Sequence, residues 1–288
     1  MRDPLALVGR TVDERESRFS HEDTCLYALA TGLGADPLDP RQLRYVWEEN
    51  LRALPAMSLV LAYPGFWLKE PKFGVDWARV LHVEEGFEIH APLPTAGTVH
   101  GRTVVTRIID RGAAKGALLY SSREVRHGAD NRLLATVDSC TLLRGDGGFG
   151  GPQGPLSPPV SMPTREPDAV CDLPTLPQQA LLYRLCGDFN PLHADPEIAR
   201  QAGFDRPILH GRCTLAVAQH ALLRVCCDYE ATRLKSMRAR FTAPFYPGET
   251  LRTSVWLDGE HVFFSAQALK RGVTVLDQGT ARLVVTTG

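Results

Sequence analysis

An acid and a base stand five positions apart in the run Gly-Asp-Phe-Asn-Pro-Leu-His at 187–193. Asp188 offers a carboxylate and His193 an imidazole, a pair that can move a proton near neutral pH. Asn190-Pro191 between them predicts a turn, because proline pushes the preceding residue out of the helical region of backbone space. A turn there can direct both side chains toward one cleft. The spacing therefore predicts a site for general acid–base chemistry.

A backbone donor is predicted shortly downstream, at the His-Gly pair of residues 210 and 211. The apolar run that follows, Arg-Cys-Thr-Leu-Ala-Val-Ala-Gln-His-Ala-Leu-Leu-Arg-Val, predicts a buried helix. Gly211 would begin this helix, where backbone N–H groups have no partner within the helix and point outward. Because glycine lets a substrate oxygen approach closely, Gly211 is a candidate oxyanion donor.

Each of these residues also has an ordinary structural interpretation when it is taken alone. Asp188 could be a turn or cap residue, since Gly-Asp after a helix is common. His193 could be a histidine with a structural hydrogen bond, and Asn190-Pro191 could be only a turn. The combination of acid, base and His-Gly before a long apolar helix favours the functional interpretation.

The motif at 187–193, together with Ile-Leu-His-Gly at 208–211, resembles the MaoC-like (R)-specific enoyl-CoA hydratases. The resemblance is to the hydratase 2 module of peroxisomal multifunctional enzyme type 2 and its bacterial relatives, and it extends over nearly the whole chain. It implies a double hot-dog fold whose C-terminal half is catalytic and whose N-terminal half houses the acyl chain. It also implies reversible hydration of trans-2-enoyl-CoA to (R)-3-hydroxyacyl-CoA, with CoA as part of the substrate and no cofactor.

The resemblance implies roles for residues in both halves. Asp188 and His193 would hold the attacking water and share its proton transfers, Asn190 would orient them, and Gly211 would polarise the thioester carbonyl. Substrate contacts carry over to positions in and around the motifs: His82, Val83, Arg111, Asp188, Phe189, Asn190, Pro191, Leu192, His193, Gly211 and Phe241. Val83 stands where the family has a glycine, which argues against a close backbone approach there. Arg111 would contact CoA phosphates or be a solvated turn arginine, and Phe241 would line the pocket or only pack in the core.

The elements that position these residues follow from periodicity and turn chemistry. In the first half, a helix is expected at 19–32 with Ser20 as its N-cap and Asp23 at its third position. A second helix is expected at 41–54, a short strand at 58–62, and a short helix at 75–83. Four strand-like stretches follow, separated by Gly, Pro and Asn, as in an antiparallel sheet: 87–93, 103–110, 117–125 and 133–143.

The second half repeats this plan after a Gly/Pro/Ser-rich stretch at 145–168 that predicts a linker. Helices are expected at 176–186, 196–202 and 211–227, and strands at 236–245, 251–257, 262–270 and 273–285. A helix beside four strands can be buried only if the sheet curls around it. The predicted fold is therefore α+β, a double hot dog of two antiparallel sheets each wrapped around a helix. Its N-terminal hot dog spans 1–144 and its C-terminal one 169–288.

Weak internal duplication supports two related halves. Leu-Tyr-Ala-Leu at 26–29 resembles Leu-Tyr-Arg-Leu at 182–185, and Asp-Pro-Leu at 36–38 resembles Asn-Pro-Leu at 190–192. The latter register places Gly34 opposite Asp188 and Asp39 opposite His193. The first half would then have the layout of the site without its acid–base pair.

Composition indicates a globular protein without nucleic-acid or membrane partners. The 288 residues carry a formal net charge of -1 and are 44% hydrophobic, and no apolar run reaches membrane-spanning length. The seven scattered cysteines form no C-x-x-C pair and predict reduced thiols; Cys186 and Cys213 near the motif are expected to fill the core. The histidines show no metal-ligand spacing, so no metal is expected. Without a signal-peptide core or a peroxisomal C-terminal tripeptide, a cytoplasmic location is expected, and a homodimer is left open.

Three functions remain open from the sequence. The first is the (R)-specific enoyl-CoA hydratase, acting in fatty-acid or related acyl-CoA metabolism. The second is a dehydratase acting on another thioester, such as an acyl-carrier-protein, sterol or branched dicarboxylic substrate. The third is a hot-dog thioesterase or a non-catalytic acyl-CoA binder, against which the intact motif weighs.

Overall fold

Antiparallel strands make up most of the regular structure in the computed structural model, which describes residues 4–154 and 159–284. In chain order the strands are β1 (Thr11–Phe19), β2 (Val80–Ile89), β3 (Gly97–Asp110), β4 (Ala117–His127), β5 (Leu133–Leu143), β6 (Ala169–Pro174), β7 (Leu234–Phe241), β8 (Thr250–Asp258), β9 (His261–Ala268) and β10 (Val273–Leu283). Within the described residues they form one ten-stranded sheet in the order β1-β3-β4-β5-β2-β7-β10-β9-β8-β6.

The two halves of the chain meet in the middle of this sheet. Strands β1 to β5 come from the first half and β6 to β10 from the second, and β2 pairs with β7 from Glu84 opposite Arg240 to Glu88 opposite Ser236. The predicted α+β class and the predicted hot-dog arrangement are confirmed. The two expected sheets are joined edge to edge through backbone hydrogen bonds between β2 and β7.

Five α-helices accompany the sheet in the described chain: α1 (His21–Leu29), α2 (Pro40–Leu43), α3 (Gln179–Tyr183), α4 (Pro196–Gln201) and α5 (Gly211–Cys226). Helix α5 is buried from Arg212 through Leu223, as expected for a helix that is apolar on nearly all sides. Helix α1 begins with the predicted capping box, in which Ser20 Oγ accepts from the Asp23 N–H and the Asp23 carboxylate accepts from the Ser20 N–H at 2.8 Å. The central helix of the second half is therefore much longer than that of the first.

Several local expectations for the first half are wrong. The helix expected at 41–54 is limited to the single turn of α2. The strand expected at 58–62 lies instead in a buried 3-10 helix, Pro55–Leu59, and the following turn. Pro55 opens that 3-10 helix, and Ala62 at φ 48° cannot continue a strand. The expected short helix before the first sheet strand is found as a 3-10 turn, Trp77–Arg79, that leads directly into β2.

Two edge strands, β1 and β6, were absent from the sequence expectation. β1 reads Thr-Val-Asp-Glu-Arg-Glu-Ser-Arg-Phe and buries only Val12. A polar edge strand carries no alternation of apolar residues, because only one of its edges and little of its surface is covered. β6 is likewise at an edge and is only six residues long.

The predicted linker contains no helix or strand in its described residues, 145–154 and 159–168; residues 155–158 lie outside the described chain. Two glycines of this stretch donate backbone hydrogen bonds to Asp110, the last residue of β3. The Asp110 carboxylate accepts from the N–H groups of Gly148 at 2.7 Å and Gly150 at 2.8 Å. No helix in the described chain combines the length and apolarity needed to cross a membrane.

The junction between β2 and β7 is reinforced by Glu84, which is 2% exposed and accepts from Arg238 Nη2 and Arg240 Nε, each at 2.5 Å. We expect Glu84→Gln to lower the free energy of unfolding by about 1–3 kcal/mol, because it removes the charge that two guanidinium groups share. Urea denaturation at neutral pH measures this.

The control is Glu88→Gln on the same strand. Glu88 is half exposed and pairs with Arg282 at 3.0 Å, so its replacement should cost less than about 1 kcal/mol. Equal losses in the two variants would contradict a special contribution of the buried carboxylate.

Candidate active site

A cavity of about 380 Å³ receives residues from both halves of the chain. The second half contributes Asp188, Asn190, His193 and Gly211, and the first half contributes the inner faces of β2, β4 and β5. The acid, the base and the proposed backbone donor of the sequence motifs therefore face one common space.

The catalytic turn, residues 188–193, is held by hydrogen bonds between its own side chains and backbone. Asn190 caps the 3-10 helix Pro191–His193, with its Oδ1 accepting from the Leu192 N–H at 3.1 Å. Asp188 Oδ1 lies 3.4 Å from the Asn190 N–H. These contacts give Asn190 a structural role in fixing the spacing between Asp188 and His193.

The orientation of His193 determines which of its nitrogens can act. Its Nδ1 lies 2.9 Å from the carbonyl oxygen of Ile208. Because a carbonyl can only accept, Nδ1 carries the proton and Nε2 keeps its lone pair. Burial lowers the pKa of His193, although the negative charge of Asp188 acts in the opposite direction. His193 is therefore built as a neutral base.

His210 supports this arrangement and was not among the sequence candidates. Its ring lies 3.8 Å from the ring of His193, tilted by 30°. Its Nε2 donates to the backbone carbonyl of Asp188 at 3.1 Å. Burial, followed by the neighbouring His193, lowers the pKa of His210 to about 3, so this ring stays neutral. His210 thus ties the start of α5 to the catalytic turn.

Gly211 is the first residue of α5, as predicted, and its N–H belongs to the group that has no partner within the helix. A Cβ at this position would lie 3.0 Å from Cε1 and 3.1 Å from Cζ of the Phe241 ring. Any larger residue would therefore push Phe241 out of its position in the cavity wall. The ring of Phe241 in turn lies 4.8 Å from that of His82.

A buried salt bridge links this helix end to the first half. Arg212 Nε lies 3.1 Å from Oε1 of Glu85, whose side chain is completely buried, and Nε2 of His82 contacts the other carboxylate oxygen. The guanidinium of Arg212 also lies 3.9 Å from the ring centre of Tyr63. Burial acts to raise the pKa of Glu85, but the charges of Arg212 and His82 outweigh it and lower that pKa to about 2.

A β-bulge explains how His82 and Glu85 reach the same face. The pairing of β2 with β5 shifts between His82 and Glu84, so that Val83 is the extra residue. Without the bulge, residues three apart on a strand would point to opposite faces. Val83 instead packs on the other face of the sheet, against the cluster of Ile109, Leu118, Tyr120 and Cys140.

Seven of the predicted site residues line the cavity: His82, Asp188, Asn190, Leu192, His193, Gly211 and Phe241. Four others are placed elsewhere. Val83 is on the opposite sheet face, and Arg111 is exposed in the turn between β3 and β4. Phe189 is 60% exposed beneath the guanidinium of Arg184, and Pro191 is exposed at the start of its 3-10 turn.

Glu85, Arg212 and Tyr63 also line the cavity and were missed by the motif comparison. For Arg212 the available signal was a charged residue at the start of an apolar helix, because buried charges are rare unless they are paired. Glu85 lies between the helix expected at 75–83 and the strand expected at 87–93, so no predicted element indicated its burial.

The two cysteines near the motif do not line the cavity. Burial raises the pKa of Cys186 to about 12 and that of Cys213 well above its ordinary value. Both thiols are therefore protonated near neutral pH, as expected for core residues. Within the described residues, no group of three or more His, Cys, Asp or Glu side chains is arranged to hold a metal ion.

Two family models together match most of the chain. The MFE-2 hydratase 2 N-terminal domain matches residues 17–145, and the MaoC like domain matches residues 159–278. Among curated relatives, enoyl-CoA hydratase ChsH3 of Mycobacterium tuberculosis is 40% identical, with 94% of this chain and 95% of the relative covered. Peroxisomal enoyl-CoA hydratase 2 of Arabidopsis thaliana is 35% identical, with 94% and 92% covered. The 3-hydroxyacyl-thioester dehydratase Y of Mycobacterium tuberculosis is 37% identical, with 96% and 97% covered.

Solved structures of proteins with the same family names are also similar to this chain. A MaoC-like dehydratase from Phytophthora capsici superposes with a TM-score of 0.85 at 32% identity, with 96% of each chain covered. Full-length peroxisomal multifunctional enzyme type 2 from Drosophila melanogaster gives a TM-score of 0.80 at 31% identity, over 94% of this chain and 48% of that one. A Mycobacterium tuberculosis protein described as a double hotdog fold gives a TM-score of 0.57 at 15% identity, with 96% of each chain covered, and supports the fold alone.

The Glu85–Arg212 pair should show in the pH dependence of stability. The pKa of Glu85 is about 2 in the folded protein and 4.5 in the unfolded chain, so its contribution is complete above pH 4.5 and is lost as pH falls toward 2. We expect Glu85→Gln to be less stable than the wild type at neutral pH and to approach it as the pH is lowered through this window. Urea denaturation at a series of pH values measures the difference. A difference that does not vary with pH would show that Glu85 contributes by shape and not by charge.

Proposed function

The chain belongs to the MaoC-like family, within the hydratase 2 group, and on that premise we propose that it hydrates trans-2-enoyl-CoA reversibly to (R)-3-hydroxyacyl-CoA. One observation carries the proposal. The Ile208 carbonyl holds His193 with Nε2 free, in a cavity that it shares with Asp188 and with the helix end at Gly211.

The backbone donor would prepare the substrate for attack. The Gly211 N–H points out of the end of α5, where it can donate to the thioester carbonyl oxygen of a bound substrate. Withdrawal of electron density by that hydrogen bond makes C3 of the enoyl group electrophilic. The same bond stabilises the enolate oxygen that forms once water has added.

The acid–base pair would then move one proton. A water molecule between Asp188 and His193 gives a proton to His193 Nε2 while its oxygen forms a bond to C3. Asp188 accepts the second hydrogen bond of that water and stabilises the imidazolium that forms. The imidazolium returns its proton to C2, so that the elements of one water molecule are added and both residues are restored. This step needs no redox partner, so the proposed reaction requires no cofactor.

The acyl portion of the substrate would extend into the first half. Trp67, Leu68, Leu119 and Val137 give that part of the cavity apolar surface. The proposed contact of Arg111 with CoA phosphates requires the nucleotide to cross the surface toward the turn between β3 and β4, and it stays a prediction.

The remaining parts of the proposal concern carrier, partners and location. One relative is named a 3-hydroxyacyl-thioester dehydratase, so CoA and acyl-carrier-protein thioesters should be compared as substrates. A net charge of -1 supports a small-molecule partner without nucleic-acid or membrane binding. The free cysteines of the chain support a cytoplasmic location, which cell fractionation would test, and light scattering would test for a homodimer.

Loss of either member of the acid–base pair should abolish most of the turnover. We expect Asp188→Asn and His193→Gln each to lower kcat on crotonyl-CoA by about 10²–10⁴, because His193 transfers the proton and Asp188 positions the water and stabilises the imidazolium. The measurement is the loss of enoyl absorbance, with chiral analysis of the product and a thermal melt of each variant.

The matched control is Asp39→Ala, at the position that the weak duplication of the sequence pairs with His193. Asp39 caps α2 and pairs with Arg41, so its loss should affect stability by about 1 kcal/mol but not the chemistry. Wild-type turnover in the Asp188 or His193 variant would refute the assignment.

The pH profile should report the neutral base. Since burial lowers the pKa of His193 from 6.5, the acid limb of kcat/KM should fall below pH 6.5. Asp188→Asn should move this limb further toward acid in the residual activity, because it removes the negative charge that favours the imidazolium. An acid limb above pH 6.5, or one that moves upward in the variant, would contradict this account of His193.

A further inference from the structure

The inner wall that β3, β4 and β5 present to the cavity carries polar groups. Cross-strand pairing places Thr103 opposite Arg123 and Ser121 opposite Ser139, and Thr141 lies on the same wall. The two serine Oγ atoms are 3.4 Å apart. We call these five residues the polar wall; all of them line the cavity and all belong to the first half. The inner face of a sheet is ordinarily apolar, so a polar wall indicates a function other than packing.

Arg123 is the charged member of the polar wall and is 4% exposed. Its Nη2 donates to the carbonyls of Ser58 and Leu59, each at 2.9 Å. Its Nε is buried and has no hydrogen-bond partner among the described residues. Over the same residues no carboxylate forms a salt bridge with it, because Glu85 pairs with Arg212 instead. The guanidinium of Arg123 is thus a buried cation with no salt-bridge partner of its own in the described chain, and it shares the nearby charge of Glu85 with Arg212.

The surroundings of Arg123 reflect this imbalance. Burial lowers the pKa of Arg123 to about 10, the positive charge of Arg212 acts in the same direction, and the negative charge of Glu85 opposes both. The neighbouring Thr103 is 3% exposed, and its Oγ1 has no hydrogen-bond partner in the described chain. Two unsatisfied donors therefore stand side by side on adjacent strands of the cavity wall.

The part of the substrate that lies beside Arg123 and Thr103 determines whether their unpaired donors find acceptors. A plain alkyl chain would leave both donors unpaired. Arg123 Nε and Thr103 Oγ1 are buried in the cavity wall, so both side chains must turn toward a carboxylate to donate to it; a carboxylate's hydrogen bond to a guanidinium is stronger than that of a neutral acceptor. The serine pair offers further donors along the same wall.

We propose that the acyl site is specific for enoyl thioesters whose acyl chain ends in a carboxylate, bound by Arg123 and Thr103. This specificity rests on the proposed hydratase function and adds to it the chemical class of the acyl group. Arg123 and Thr103 would determine specificity without touching the reacting atoms.

The direct test needs no mutation. The wild-type protein is given enoyl-CoA substrates in pairs of equal chain length, one ending in a carboxylate and one in a methyl group, over a series of lengths. At the length that reaches Arg123, kcat/KM should favour the carboxylate by roughly ten- to a hundredfold, the factor for one charge-assisted hydrogen bond. A preference for the methyl-ended chain at every length would overturn the specificity. Failure to hydrate any member of the series would overturn the hydratase function itself.

Two variants identify the residues responsible. Arg123→Met should reduce the carboxylate preference to about one, and Thr103→Val should reduce it several-fold. Thr103→Val keeps the shape of the side chain and removes a hydroxyl that has no partner, so it should fold normally. Arg107→Met on β3 is the control, because Arg107 is exposed outside the cavity, and it should keep the wild-type ratio. A loss that is equal for both substrates in Arg123→Met and Thr103→Val would assign the polar wall a purely structural role and refute the proposal.

Discussion

The buried salt bridge between Glu85 and Arg212 is the constraint on which the rest of the site depends. It joins the first half of the chain to the residue directly after Gly211, so it fixes the helix end that is to polarise the substrate. A buried charge is strongly destabilising when its partner is missing, so the pair favours the relative position of the two halves that keeps both charges together. The bulge at Val83 brings Glu85 to the correct face, and the pairing of β2 with β7 brings that face to the helix.

The two halves have related folds and different contents. Tyr27 and Tyr183, from the two Leu-Tyr-x-Leu segments, pack against each other with their ring centres 5.8 Å apart. The second half fills its sheet with the long helix α5, whereas α1 in the first half is short and leaves room for the cavity. Asp39, which the Asp-Pro-Leu register pairs with His193, caps a helix and pairs with Arg41. The second half therefore supplies the proposed catalytic residues, and the first half supplies much of the cavity wall.

Local signals in the sequence predicted the parts of the fold that depend on local physics. The capping box at Ser20, the apolar helix from Gly211 and the turn at Asn190 are each set by neighbouring residues, and each is found. The edge strand β1, the bulge at Val83 and the joined sheet depend on pairing between distant segments, which single-sequence patterns do not contain. The partners of Arg212 are likewise non-local. Its burial could be predicted from the apolar helix, but only the fold shows that Glu85 is the counter-charge.

Two opposing effects on the pKa of His193 determine its chemistry. Burial disfavours the imidazolium, and Asp188 favours it, so the ring is neutral at rest and can be charged for the length of one proton transfer. His210, stacked on His193, can only remain neutral, because two adjacent imidazolium rings in this buried site would repel each other. Since Ile208 holds the proton on Nδ1, the transfer is confined to Nε2, the nitrogen that is free to receive a proton from water. A backbone carbonyl and a second histidine thus determine which atom of the motif reacts.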